Sequence, residues 1–149
     1  MALYVPIPAF TAQFAYGDSN GITLAASTTY YFGTLFGVDP GTTDDPPGFY
    51  VPRACTLVAV YGRISVVVTP SSGQDSTVII RKNGTTDILT VSTTVETNAA
   101  KNEFSITGQS VSVSAGDVLY VKLTTGAFTV NPTFTFGSVN LYFEVPWSS

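Results

Sequence analysis

Hydrophobic residues recur at every second position in short runs along most of the chain. In residues 139–145 this alternation places Val139, Leu141, Phe143 and Val145 on one face of an extended strand. Such runs follow one another at roughly 8–12 residues, separated by turn-forming residues, which is typical of a β-sandwich. No long window shows the period of about 3.6 residues that marks an amphipathic helix.

This pattern predicts an all-β fold of about eight antiparallel strands. An eight-stranded jelly-roll sandwich is the first choice, and an immunoglobulin-like sandwich is the alternative. The Cys and Trp spacing of a true immunoglobulin domain is absent, since the chain has one Cys and one Trp. The sequence shows no internal repeat and no second sandwich domain.

Turn signals mark where the strands reverse direction. Asn83-Gly84 lies between two runs rich in β-branched residues, and both residues tolerate the positive φ of a type I′ hairpin turn. Gly116-Asp117 separates two alternating runs in the same way. Within the longest of the apolar runs, Gly62 predicts a bulge or bend.

Residues 1–28 lack a clean hydrophobic period, and we interpret them as an irregular N-terminal arm that precedes a sandwich domain of residues 29–149. Pro6 and Pro8 favour extended local geometry. An arm that lies on a neighbouring subunit would cover its aromatic side chains, which need a partner. The alternative is that the arm is the first, irregular strand of the domain. The aromatic residues of this segment are Tyr4, Phe10, Phe14 and Tyr16.

The composition is unusually poor in charge. Charged residues make up 11% of the chain, against about 25% in an average soluble domain. Hydrophobic residues make up 44% and the mean hydropathy is positive, so hydroxyl and amide groups must supply the polar surface. A surface of this kind leaves apolar area for a partner to cover. Stability has to come from packing or oligomerisation, because the single cysteine, Cys55, cannot form an intrachain disulfide.

The charge distribution and the apolar runs argue against nucleic acid and membrane as partners. The net charge is −4 and the six basic residues are scattered, with only Arg81 and Lys82 adjacent. Phosphate binding requires clustered cations. The apolar runs are far shorter than the roughly 20 residues that span a bilayer, and the first residues lack the basic and apolar regions of a secretory signal.

Few residues are suited to catalysis. The chain has no histidine, so the usual general base and the commonest metal ligand are missing. Cys55 begins a strongly apolar strand, where a buried, inert thiol is expected. The aspartates lie in turn contexts, where carboxylates cap backbone groups. We therefore predict a protein that is not an enzyme and needs no cofactor.

The loop of residues 39–45 is the best candidate for an ion site. Asp39, Asp44 and Asp45 could supply oxygen ligands to calcium. Their spacing matches no ordered calcium loop, so a solvated, turn-rich loop is the favoured interpretation. No metal site is predicted.

Tyrosines support two functional interpretations. Their rings could line a carbohydrate-binding face, or they could lie at a subunit interface with their hydroxyls in contact with water. The interface is favoured because the chain carries so little charge. The tyrosines concerned are Tyr30, Tyr31, Tyr50, Tyr61, Tyr120 and Tyr142.

Three stretches resemble segments of small phage virion proteins. They are VPRACTL at residues 51–57, IIRKNG at residues 79–84 and VSVSAGDV at residues 111–118. The family they resemble comprises trimeric, tumour-necrosis-factor-like jelly rolls, among them capsid decoration proteins and fibre-tip domains. The similarity covers roughly residues 30–145, most of a domain of this size. Cys55 stands where the family pattern has a small residue.

The resemblance implies a homotrimer on the outside of a virion, bound to the major capsid protein or another virion protein, with residues 1–28 as its anchor. We therefore expect a capsid decoration protein that stabilises the capsid. A receptor- or carbohydrate-binding tip domain of a phage fibre is the alternative. The expected interface residues are Tyr4, Phe10, Phe14, Tyr16, Tyr30, Tyr142 and Trp147.

Overall fold

The computed structural model describes residues 9–32, 48–67, 74–95 and 101–146. Within these ranges all regular secondary structure is extended, as the abundance of β-branched and aromatic side chains favours. The described strands are β1 (Ala9–Thr23), β2 (Thr29–Phe32), β3 (Phe49–Tyr50), β4 (Cys55–Val67), β5 (Gln74–Lys82), β6 (Thr86–Val95), β7 (Lys101–Ile106), β8 (Val111–Val113), β9 (Val118–Thr124) and β10 (Thr133–Glu144).

Two antiparallel sheets pack face to face, which confirms the predicted β-sandwich. Sheet A has the strand order β1-β10-β4-β7, and β8 also pairs with β4. Sheet B has the order β2-β9-β5-β6, and β3 also pairs with β9. The described residues thus contain ten strands rather than eight.

The core lies between the two sheets and follows the alternation seen in the sequence. Val139, Leu141 and Phe143 of β10 are buried, as predicted. Phe32 of sheet B meets Phe134 of sheet A edge to face, with ring centroids 5.7 Å apart. Each large apolar side chain buried in this way contributes about 1.5–3 kcal/mol. This burial fixes which side of each strand points to solvent.

β1 corrects the prediction of an irregular N-terminal arm. Residues 9–23 form a strand that pairs antiparallel with β10, so this segment is part of sheet A rather than separate from the domain. Phe10 and Phe14 face the core, and the small Ala12 lies between them on the same side. For these residues the structure agrees with the alternative interpretation, a first strand of the domain, whose alternation is weakened by the small side chain of Ala12. A register shift between Gly17 and Ile22 interrupts the pairing.

The type I′ turn predicted at Asn83-Gly84 is confirmed, whereas the bulge or bend predicted at Gly62 is wrong. Asn83 and Gly84 have φ of 52° and 71°, and the Thr85 amide donates to the Lys82 carbonyl at 3.2 Å, as in a type I′ turn. Gly62 lies in regular pairing on both sides. Its lack of a side chain makes room for the ring of Phe104, which any Cβ at this position would strike.

Candidate functional site

The outer face of sheet A carries the candidate site. Residues paired across antiparallel strands point to the same side, so the register of β1, β10, β4 and β7 defines this face. Only three of its described side chains are charged, and the rest are hydroxyl, amide, aromatic or small. The outward-facing residues include Thr11, Gln13, Ala15, Ala59, Tyr61, Arg63, Ser65, Glu103, Ser105, Ser138, Asn140, Tyr142 and Glu144.

Two tyrosines dominate the middle of this face. Tyr61 on β4 and Tyr142 on β10 are 44% and 39% exposed, which is high for large hydrophobic side chains. Their rings contact each other edge to face with centroids 5.3 Å apart, and this contact restrains the orientation of both side chains. Ala59 lies directly opposite Tyr142 and leaves space beside it. The pair forms a pre-arranged aromatic platform.

Beside this platform lies a shallow depression of about 380 Å³, lined by Tyr61, Arg63, Glu103, Ser138 and Asn140 among others. Arg63 and Glu103 are directly opposite each other on β4 and β7 but form no ion pair in the described part of the chain. The Nε atom of Arg63 is shielded from water and lacks a hydrogen-bond partner among the described residues. A buried donor of this kind is costly unless something supplies an acceptor.

The outer face of sheet B has a different character, because its charges compensate one another within the chain. Asp87 on β6 receives a 2.7 Å hydrogen bond from Arg81 Nε on β5 and a 2.9 Å one from Lys122 Nζ on β9. The bond from Arg81, followed by that from Lys122, holds the pKa of Asp87 below its usual range, although partial burial opposes this. Lys122 is itself buried.

The structure separates the predicted interface residues. Phe14 and Tyr30 belong to the core of the chain's own sandwich, and this corrects their assignment to an interface. The hydroxyl of Tyr30 accepts a 2.7 Å hydrogen bond from the amide of Ala25, so its polar end is also satisfied internally. Phe10 is partly buried and stacks on Phe143 with centroids 4.8 Å apart.

Of the remaining candidates, only Tyr142 is found on the outer face of sheet A. Tyr16 lies in β1 opposite Gly137, and its side chain is outside the described residues. Tyr4 and Trp147 lie outside the described residues altogether, as do Asp39, Asp44 and Asp45.

Sequence reasoning did not assign Arg63 or Glu103 to a site, and it considered Tyr61 for a subunit interface or a sugar-binding face without placing it among the expected interface residues. The alternation in residues 60–66 contained the signal, because Val60, Ile64 and Val66 face the core. It was obscured by a bulge at Val58, where β4 has one residue more than β10 and the inward phase changes.

Other candidate chemistry is limited in the described residues. Cys55 is buried as expected, and desolvation raises the pKa of its thiol, with Arg53 opposing this and Asp117 adding to it. The described residues contain no group of three or more His, Cys, Asp or Glu side chains that could hold a metal ion. None of them forms a helix long and apolar enough to cross a membrane.

No known family model matches this chain, and no curated protein or solved structure is significantly similar to it. Its function has to be inferred from its own fold and surface.

Proposed function

We propose that this chain is a non-enzymatic virion structural protein, most specifically a capsid decoration protein that acts as a homotrimer on the head exterior. The observation that carries the proposal is the outer face of sheet A, with its two exposed tyrosines and few charges. Interface cores are enriched in tyrosine and arginine. The outer face of sheet A carries both, in Tyr61, Tyr142 and Arg63.

The order of the strands supports a jelly roll. β10 occupies one side of β4 along residues 56–67, so β7 and β8 both lie on its other side and count as one interrupted strand. By the same reasoning β2 and β3 form one strand beside β9. Counted along the chain as eight strands in this way, the sheets have the orders 1-8-3-6 and 2-7-4-5. Every two sequential strands lie in different sheets except the fourth and fifth, β5 and β6, as expected for a jelly roll.

A second copy of the chain fits the outer face of sheet A. Arg63 and the two carboxylates Glu103 and Glu144 give this face both signs of charge, so neighbouring copies can pair opposite charges across it. In the proposed closed three-fold arrangement this face lies around the axis in every subunit. The tyrosine platform would then be covered.

The proposed mechanism is mass action. A trimer that binds the assembled capsid but not its separated subunits stabilises the lattice by about 2.7 kcal/mol when its free concentration is 100 times Kd. No chemical step is required.

Cryo-electron microscopy of empty capsids of the same virus mixed with the protein tests this function. The account predicts added density with three-fold symmetry on the capsid exterior. Tyr142→Asp, which introduces a charge on the outer face of sheet A, should abolish the density. Thr90→Asp places the same charge on an exposed position of sheet B and should leave it intact. Capsids without added density for the wild-type protein would contradict the proposal.

Carbohydrate binding is the second candidate, favoured by the depression beside Tyr61. An aromatic platform next to Arg63, Glu103 and Asn140 offers stacking for a sugar ring and hydrogen bonds for its hydroxyls. A glycan array distinguishes the two functions. Binding that Tyr61→Ala removes, in a protein that shows no capsid density, would favour a receptor-binding fibre tip.

A further inference from the structure

Two turns at one end of the sandwich are joined by a clasp, formed by the side chains of Asn83 and Asp117. Asn83 lies in the β5–β6 turn, and Asp117 lies in the turn between β8 and β9. Asn83 Nδ2 donates to Asp117 Oδ1 at 2.8 Å, and Asn83 Oδ1 accepts from the Val118 amide at 2.8 Å. The Asn83 amide donates to the Val118 carbonyl, also at 2.8 Å.

The carboxylate of Asp117 is kept ionised by this arrangement. Its pKa is lowered first by the hydrogen bond from Asn83 and next by the 2.9 Å bond from the Ser114 amide. Lys82 Nζ lies 3.5 Å from its Oδ2 atom. Both ends of the Asn83 carboxamide are therefore fixed by partners on another turn.

Asn83-Gly84 is also a chemically labile sequence. The backbone nitrogen of Gly84 can attack Cγ of Asn83 and form a carbon–nitrogen bond as the bond from Cγ to Nδ2 breaks. The Nδ2 group leaves as ammonia with the proton of the Gly84 amide, and a succinimide ring closes. Water then opens the ring to aspartate or isoaspartate. Gly84 adds no side chain to the turn, and the space beside its Cα is open, since nothing lies within 4 Å of a Cβ added there. Asn83 itself is exposed to water.

While the clasp is closed, its hydrogen bonds keep the Asn83 carboxamide from reacting with the Gly84 nitrogen. Ring closure requires Cγ to turn towards the Gly84 nitrogen and the Nδ2 group to leave, so the bonds to Asp117 and Val118 must break first. We propose that Asn83 is a deamidation site held unreactive by its clasp with Asp117 and Val118, so that opening of the clasp determines the rate of deamidation. The product would place a second carboxylate against that of Asp117 and keep the two turns apart.

Peptide mapping by mass spectrometry over a time course at mildly alkaline pH tests this proposal. The chain contains a second Asn-Gly sequence, Asn20-Gly21, which provides an internal reference in every sample. In the urea-unfolded wild-type chain both sites should react at similar rates. In the native protein the reaction at Asn83 should be at least about tenfold slower than in the unfolded chain, as expected for loss of one charge-assisted hydrogen bond.

Asp117→Asn supplies the decisive variant, because it keeps the shape of the side chain but presents an uncharged amide to Asn83. It should accelerate native deamidation at Asn83 about tenfold and leave Asn20 unchanged. Asp87→Asn is the matched control, since Asp87 pairs with Arg81 and Lys122 and should change neither site.

Two results would overturn the proposal. One is a folded Asp117→Asn variant that ages at Asn83 as slowly as wild type. The other is native wild type that reacts at Asn83 as fast as the unfolded chain, a comparison that needs no variant to fold. Hydrogen exchange of the Val118 amide measures clasp opening directly, and deamidation faster than that opening would also refute it.

Discussion

The two outer faces of the sandwich differ in whether their charged side chains find partners within the chain. On sheet B, the aspartate of β6 is shared by Arg81 and Lys122, so charged groups are satisfied within the chain. On sheet A, Arg63 keeps a shielded donor without a partner in the described part of the chain, and two tyrosines stand exposed beside it. Both faces belong to strands that alternate equally well. The difference lies in how the charges are paired rather than in strand pattern or exposed aromatics, because Tyr50 on the outer side of sheet B is also exposed.

The largest effect is expected at Gly62, which lies on the inner side of the strand that carries Tyr61 and Arg63. Gly62→Val would drive its side chain into the ring of Phe104, and the strained core should lose about 3 kcal/mol of unfolding free energy. Urea denaturation followed by fluorescence measures this loss.

Ala59→Val is the control for Gly62→Val, because it also places a valine side chain on β4 but on the outer side. Its unfolding free energy should change by less than about 0.5 kcal/mol. Equal losses for the two variants would show that the two sides of β4 do not differ as described.

A smaller effect on the unfolding free energy is expected when the cation of each outer face is replaced. Lys122→Met should cost about 1 kcal/mol, because it removes a buried partner of Asp87. Arg63→Met should be neutral or slightly stabilising in the single chain, since it removes an unpaired buried donor. Both are measured by urea denaturation in a Tyr61→Ser, Tyr142→Ser background, so that assembly does not contribute and no new carboxylate is placed beside Arg63. A larger loss for Arg63→Met than for Lys122→Met would reverse the comparison.

The smallest effect concerns pH and sheet B. The pKa of Asp87 is lower in the folded chain than in the unfolded one, chiefly because of Arg81. Its contribution to stability is therefore fully present above the unfolded pKa of about 4 and is lost as pH falls through the folded pKa. Asp87→Asn should show a shallower decline of melting temperature below about pH 4 than wild type. An unchanged decline would mean that Asp87 contributes nothing to acid stability.

Much of the fold was predictable because alternation and turn chemistry are local. β10 could be identified from Val139 to Phe143, and the hairpin turn from Asn83-Gly84 alone. A first strand was only the alternative interpretation of residues 1–28, because the core-facing positions of β1 include the small Ala12. The role of Gly62 could not be read locally, since its reason is Phe104, more than forty residues away in the chain.

The candidate site was less predictable than the fold. Tyr142 was expected at an interface, but Phe14 and Tyr30 were not distinguishable from it, because aromatic residues occupy cores and surfaces alike. Which face a tyrosine occupies depends on register, and the bulge at Val58 changes that register for Tyr61 and Arg63. That Arg63 lies opposite Glu103 in the sheet depends on which strands are neighbours, and this is not readable from the local sequence.

The most direct test of the central claim, that copies of the chain meet through the outer face of sheet A, is the mass of the particle in solution by native mass spectrometry. The account predicts a species of three times the 15.7 kDa chain mass for wild type and for Thr90→Asp, and a single chain for the Tyr61→Asp, Tyr142→Asp double variant. A wild-type protein that stays a single chain at all concentrations, or a double variant that remains trimeric, would contradict it.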